Sequence, residues 1–412
     1  MAAEAAKTMT AASNEGMGDS MPGAAGTQGP HEGRPTDASG FDSTRVTADS
    51  AAVELLGPEP PDSQPRQRAA WQLRLQALSC RQMGSQLYAG LLTNAAADCE
   101  AGGPTWQILS SEIAPGRAGA LALRFMAAVH RLVLSHRAPE LAVFYPSAGG
   151  TAPADHAWGA FRRTLQTSTA EIAQLIGAPC QTNEVGRSAG LAVGFLHVMS
   201  FTRLPLRLRE VGASAGLNLR CDHFLIGGGG ASIGDSDSPV DLSSHWRRPP
   251  PLGGVTRIDV ADRRGCDLHP LDPATSEGRL TLMASVWADQ GARLERLRGA
   301  LAIARDVPAA VDQMPLDQWT ALQVQDLPTG QATVVYHSVV SEYLDAPARQ
   351  RFETTLRTAG DSATAAHPLA WVRLEPISQL RHHGIQVTLW PGGQTRPVAR
   401  CGAHGTEVEW LQ

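Results

Sequence analysis

Leu206–Leu219, LRLREVGASAGLNL, constrains the fold more than any other stretch of this sequence. Leu and Arg alternate from Leu206 to Arg209, an acid follows at Glu210, and the chain then enters Gly212-Ala-Ser-Ala-Gly216. Period-two alternation running into small residues predicts a strand that ends in a tight turn. Glycine has no Cβ, so such a turn lets another group approach the backbone closely. Its N–H groups can face a ligand, more so where a helix begins at Gly216. Two chemistries share this outline. One is a loop that cradles a nucleotide-type cofactor; the other is a G-x-S-x-G nucleophile elbow with Ser214 at its tip.

Around this stretch the chain divides into parts of different character. Residues 1–65 are rich in Gly, Ala, Ser, Thr, Pro and Asp and poor in large apolar side chains. They cannot bury enough surface to offset their ordering entropy, which predicts a disordered tail. Over 66–200 apolar residues recur at helical spacing, with Arg117–Leu134 and His156–Ile176 as the clearest helices, so this part reads as an all-helical N-terminal domain. Gln181-Thr-Asn-Glu-Val-Gly-Arg187 then leads into a helix over Ser188–Met199. Thr182 or Asn183 suits its cap, and Glu184 and Arg187 are spaced to meet on one surface face. The same cluster could instead face the loop, because the helix delivers the chain into the strand at Leu206.

Residues 201–412 alternate strand and helix. Cys221–Gly254 is a Gly/Pro-rich insertion with room for a hairpin. Strands are predicted at Val255–Val260, Ala332–Val335 and Leu369–Leu374, and one long helix at Met283–Ala304. Ile385–Trp390 and Glu407–Leu411 are expected to pair as antiparallel strands across the loop PGGQTRPVARCGAHG. The pattern predicts an α/β sandwich on a mostly parallel sheet.

Ligands of such sheets bind at the carboxyl ends of the strands. Those ends carry Glu210, Asp267, Asp312, His337 and Glu375. Acids clustered on one rim need a partner, and a ligand with hydroxyls and a positive charge would supply one. His337 is the candidate substrate contact or general base. His382 and His383 read as exposed loop residues, and Trp158, Trp287 and Trp319 as core.

Leu208–Gly216 resembles the first motif of class I S-adenosylmethionine-dependent methyltransferases. Gly265-Cys-Asp267-Leu-His-Pro270 is similar to the motif that ends their second strand. The resemblance implies a Rossmann-like methyltransferase-type sandwich over about 205–412. It implies cofactor contacts from Glu210, Gly212, Ser214 and Gly216, ribose contacts from Asp267, and Asp312 near the adenine. Tyr336 to Tyr343, with Glu342, would stand where the fourth strand meets substrate, and Asn183, Glu184, Arg187 and Glu375 would be second-tier substrate contacts. Ala213 and Ala215 replace common glycines, and Glu210 and Asp267 lie much further apart than the ~20 residues usual between such elements. No Asn/Asp-Pro-Pro-aromatic motif follows the fourth strand, so amino methylation of a nucleobase has no support. From about residue 70 onward the chain also resembles a bacterial family known as domain of unknown function 2332, through EAGGP, FYPSAGG, QTNEVGRSA, EVGASAGLNL, RRGCDLHPLD, SVWADQ, VVYHSVV and WPGG.

The implied activity is methyl transfer from S-adenosylmethionine to a small-molecule acceptor. A Rossmann-like binding protein without chemistry stays open. So does a serine hydrolase using Ser214 with Glu375 and His404, although 70–200 offers no strands to precede an elbow and FYPSAGG is the only oxyanion-loop candidate. A net charge of −5 without basic runs argues against a nucleic-acid or membrane-surface partner. Cys80, Cys99, Cys180, Cys221, Cys266 and Cys401 form no C-x-x-C pair and no zinc signature, which predicts free thiols and no metal site. With no signal peptide and no apolar run long enough to span a bilayer, the expected location is the cytoplasm. Oligomeric state is not encoded in any pattern found.

Overall fold

The alternating segment Leu206–Val211 is strand β1, and it lies inside a nine-stranded sheet rather than at an edge. A computed structural model describes residues 56–113, 120–179, 181–377 and 382–412. These fall within the compact unit Gly40–Gln412. The tail expected over 1–65 lies almost wholly outside the described residues, as do residues 117–119 and Cys180.

The helical part begins with α1 (Pro65–Gln82), α2 (Gln86–Glu100) and α3 (Pro104–Leu109). It continues with α4 (Leu121–Leu134), α5 (Pro139–Ala142), α6 (Ala157–Thr167) and α7 (Thr169–Ile176). Their apolar faces close on one cluster that includes Leu73, Tyr88, Phe125 and Phe161, joined by Trp287 and Ala288 from far along the chain. The helix predicted over His156–Ile176 is interrupted at Ser168. Helix α8 (Ser188–Thr202) comes next and is apolar on almost every side. It packs onto the sheet itself: a Cβ at Gly194 would lie 2.6 Å from Val372 Cγ1, so a small residue is required there.

After β1 the insertion forms β2 (Leu225–Gly228), β3 (Ala231–Ile233) and β4 (Asp241–Leu242), a small sheet of its own, and then β5 (Trp246–Arg248). The remaining elements are β6 (Val260–Asp267), α9 (Ser276–Ser285), α10 (Gly291–Asp306), β7 (Ala310–Gln313), α11 (Leu316–Val324) and β8 (Ala332–Ser338). They end with α12 (Ala346–Asp361), β9 (Leu369–Pro376), β10 (His383–Trp390), β11 (Gln394–Cys401) and β12 (Val408–Trp410). The large sheet runs β5-β12-β11-β10-β9-β8-β1-β6-β7. β1 pairs in parallel with β6 and β8, β6 with β7, and β8 with β9. β10 and β11 are antiparallel to their neighbours. The fold is therefore mixed α/β with a large, mostly parallel sheet.

Both faces of the sheet are covered, as parallel strands require. On one face Leu206, Leu208, Val334 and Tyr336 meet side chains of α8 and α10. On the other, Val211, Val335 and Trp371 meet Trp319 of α11 and Phe352 and Leu356 of α12.

Several boundaries differ from the sequence-based expectation. The strand expected at Val255–Val260 starts only at Val260 and runs to Asp267. The helix expected over Met283–Ala304 is two helices, broken between Ser285 and Gly291. β10 pairs with β11, which lies inside the segment read as a loop, and the terminal strand β12 pairs with β11 instead. His383 is buried at the start of β10, not exposed in a loop, whereas His382 is exposed. Trp287 and Trp319 are buried as expected; Trp158 is half-buried.

Candidate functional site

The loop after β1 is built from left-handed residues: φ is +69° at Gly212, +52° at Ser214 and +66° at Gly216. Glycine adopts that region without steric cost; serine does not, so Ser214 must be held there. Three contacts hold it. Its N–H donates to Asp267 Oδ2 at 2.9 Å, its hydroxyl donates to Gln181 Oε1 at 2.6 Å, and its carbonyl accepts from Leu271 N at 3.2 Å. Ala213 N donates to Cys266 O at 2.9 Å, so the loop is laid across the end of β6. Gly265 makes this possible, since a Cβ there would lie 2.7 Å from Ala213 Cβ and 3.1 Å from Glu210 O. Gly265→Ala should lift the loop and cost about 1–3 kcal/mol, read from the denaturant midpoint. An unchanged midpoint would show that the loop can give way.

Segment 181–188 crosses the loop from above. Gln181 Nε2 donates to His269 O at 3.1 Å, Asn183 Oδ1 accepts from Leu217 N at 2.9 Å, and Ser188 Oγ donates to Asn218 Oδ1 at 2.8 Å. Gln181 and Asn183 thus bond to the loop and the turn after it, whereas Glu184 and Arg187 bond elsewhere. Glu184 and Arg187 do not pair with each other. Glu184 is buried, takes Gly186 N on one oxygen and Arg293 of α10 on the other, with Arg293 Nε at 2.8 Å. Burial pushes the Glu184 carboxyl up, but Arg293, His404 and Arg187 outweigh it and bring it down to about 2. Arg187 is half-buried and donates to Ser338 O at 3.3 Å and Ala403 O at 3.1 Å.

The strand-end acids separate into rim and interior. Asp267 is on the rim, half-buried, and its second oxygen accepts from His269 N at 2.9 Å. Asp312 is on the rim but engaged: Arg264 donates to both its oxygens at 2.6 and 2.7 Å, and Trp319 Nε1 donates at 2.7 Å. Glu342 is exposed on the single turn Ser341–Tyr343. Glu210 is interior. It shares the face of Leu206 and Leu208, and Tyr336 Oη donates to its Oε2 at 3.3 Å. Burial pushes the Glu210 carboxyl up to about 8, against the opposing pull of Tyr336.

His337 and Glu375 are interior on the opposite face. His337 Nδ1 is 2.6 Å from Glu375 Oε1, which also accepts from Val340 N at 3.0 Å and Ser341 N at 3.3 Å. Burial pushes the Glu375 carboxyl up, but His337 and those amides hold it below its ordinary value. The His337 ring is 2% exposed and packs against Phe352 and Trp371. The structure thus gathers Gly212, Ser214, Gly216, Asp267 and Asn183 at the loop, and puts Arg187 at the end of β8 and the β11–β12 connection. It places Glu210 and Tyr336 beneath the loop, His337 and Glu375 under α12, and Asp312 on β7. Gln181 opens the motif QTNEVGRSA and could have been read from it. Gly265 opens the motif that runs to Pro270, whereas Arg293 and His383 carry no local signal.

A cleft of about 60 Å³ between α4, α9 and Ala178, Pro179, Gln181 and Thr182 shares Gln181 with the loop but is too small for more than a few waters. Among the described residues no group of three or more His, Cys, Asp or Glu could hold a metal ion. Cys80, Cys99, Cys221, Cys266 and Cys401 are free and buried. Among the described residues no helix is long and apolar enough to cross a membrane.

Fold and rim together define a mixed α/β protein with a large, mostly parallel sheet and a small-residue loop at the end of one of its inner strands. The model of the family described as "uncharacterized protein conserved in bacteria" (DUF2332) matches residues 70–410, and the chain belongs to that family. Searches against curated proteins and against solved structures return no match.

Proposed function

We propose that the protein is an S-adenosylmethionine-dependent methyltransferase acting on a small-molecule acceptor. One observation carries the reading: the parallel strands lie in the order β7-β6-β1-β8-β9, third-second-first-fourth-fifth along the chain. This is the doubly wound order, whose ligand crevice opens where the winding reverses, between β1 and β8. The small-residue loop sits at that point, with Asp267 at the end of the neighbouring strand.

The residues present fit the cofactor at the loop and at Asp267. Gly212 is exposed. Each Asp267 oxygen takes one N–H and keeps a second lone pair for a ribose hydroxyl. Exposed Leu268, beside it, offers apolar surface to a ring. Asp312 would contribute through the Arg264 pair, and Glu210 by supporting the loop from beneath rather than by touching the ligand. The cofactor, when bound, supplies an electrophilic methyl group. The chain's part is to position the acceptor in line with it and exclude water. His337, oriented by Glu375, would take an acceptor proton only where α12 leaves a path to its ring.

Ser214 fits a hydrolase poorly. Its hydroxyl donates to an amide oxygen, which cannot take up its proton as an imidazole would.

Calorimetry on the full chain tests the reading. S-adenosylmethionine or S-adenosylhomocysteine should give saturable heat, weakened about 10–100-fold by Asp267→Ala, the range for losing a charged hydrogen-bond partner. Folded protein that binds neither at high micromolar concentration would sink the proposal. Binding without transfer to any acceptor would favour the non-catalytic reading, and labelling of Ser214 by a fluorophosphonate the hydrolase.

A further inference from the structure

Arg187 and Arg220 are held at the rim by backbone carbonyls instead of acids, and of the two only Arg187 is half-buried and not buried. Arg293 meets Glu184, Arg263 meets Asp222 and Arg264 meets Asp312. Arg187 has no carboxylate within ion-pair distance among the described residues. Two of its five N–H groups are fixed on the carbonyls of Ser338 and Ala403, which leaves three without an acceptor among the described residues. Those two bonds lock the guanidinium plane against the end of β8, beside the crevice.

The groups facing it are disposed in the same sense. Glu184 is neutralised by Arg293, and one Glu375 oxygen takes His337 and two backbone amides while its buried Oε2 has no hydrogen-bond partner. Glu342 lies on the adjoining turn, near enough to feel the Arg187 charge but not ion-paired with it. His383 is buried, and its Nδ1 has no hydrogen-bond partner. His404, half-buried on the β11–β12 connection, stacks edge-on against Trp287. Burial first, and then the positive field of Arg187 on His383 and of Arg293 on His404, bring both imidazoles down to about 3. A guanidinium fixed on the carbonyl next to His404, with no acid bonded to it, thus lies near a buried imidazole whose Nδ1 has no partner. That arrangement lacks one thing, a negative charge with several acceptor atoms.

We infer that Arg187, with His383 and His404 beside it, forms an oxyanion site at the carboxyl edge of the sheet, taking a carboxylate or phosphate group. The planar guanidinium matches either group through two parallel N–H bonds. Where the methyltransferase reading holds, and resting on it, the bound group belongs to the acceptor, which is then a small anionic molecule. The site itself does not need the cofactor.

The test titrates the full chain, with labelled histidines and no S-adenosylmethionine present, against acetate and against inorganic phosphate. One or both should bind saturably and move the His383 and His404 imidazole signals together, raising both pKa values. The tighter of the two identifies the anion's chemistry. Arg187→Gln should weaken binding about 10–100-fold, and Arg187→Lys less, since it keeps the charge and loses the fork. No saturable histidine shift in the wild type would overturn the inference, and so would equal affinity in a folded Arg187→Gln protein. The wild-type signals decide the matter even where that variant does not fold. Because this titration contains no cofactor, failure of the calorimetric test leaves it readable, and the two proposals fail separately.

Discussion

Arg293→Met should lower stability by about 3–5 kcal/mol at neutral pH, the usual consequence of stripping one partner from a buried ion pair. Both side chains are 5% exposed or less by residue, so water cannot take over the lost role. The Glu184 carboxyl, at about 2 in the folded chain, would lose its largest attractive partner while keeping the burial that opposes its charge. In the wild type this pair's stabilisation is complete above the unfolded pKa of ~4.3 and disappears as pH falls through about 2. Denaturant midpoints across acid pH should therefore show a step in the wild type that Arg293→Met lacks. Adding Glu184→Gln to that variant should recover part of the loss, because the stranded charge goes with it. A loss below about 1 kcal/mol, as for an exposed pair, would mean the site admits water.

Glu210→Gln should act in the opposite direction. Burial raises the Glu210 carboxyl to about 8, so between ~4.3 and that value the folded chain keeps a proton that the unfolded chain has released. Stability then falls as pH rises, by at most ~1.4 kcal/mol per pH unit, and the deficit is complete only above about 8. Glutamine removes the ionisation and still accepts from Tyr336 Oη. The variant should match the wild type near pH 4 and exceed it by a few kcal/mol at pH 8, a gap of order the raised pKa implies. Parallel midpoint-versus-pH curves for the two proteins would refute this account of Glu210. The same property bears on ligand binding: at pH 7 an interior, mostly protonated Glu210 brings little negative charge to the loop above it.

β1 and its loop were legible in the sequence because alternation, an acid and small residues each have a local cause. β6 was misplaced because its outward residues are charged. Asp262, Arg263 and Arg264 find partners in Arg209, Asp222 and Asp312, which are far away in sequence, so the strand is stabilised by pairs that hydrophobic periodicity cannot register. β11 was hidden for a related reason. It carries Thr395, Arg396 and Pro397 in an exposed stretch, and the pairing of Pro397 falls where the register with β10 shifts. Strand ends were read correctly as a set, yet alternation sends neighbouring residues to opposite faces. Tyr336 and His337 are adjacent in sequence, and they serve different sides of the sheet.

The strand order also governs how the sheet ends. One margin is β7, with four residues; the other is β5, with three, borrowed from the insertion and joined to the last strand, β12. Long exposed margins recruit strands from other molecules, and short ones do not. Without β12, the eight-residue β11 would become a margin more than twice the length of β5. The final few residues thus act as a hem. They leave the central crevice untouched and keep the open side of the sheet from pairing with another molecule's.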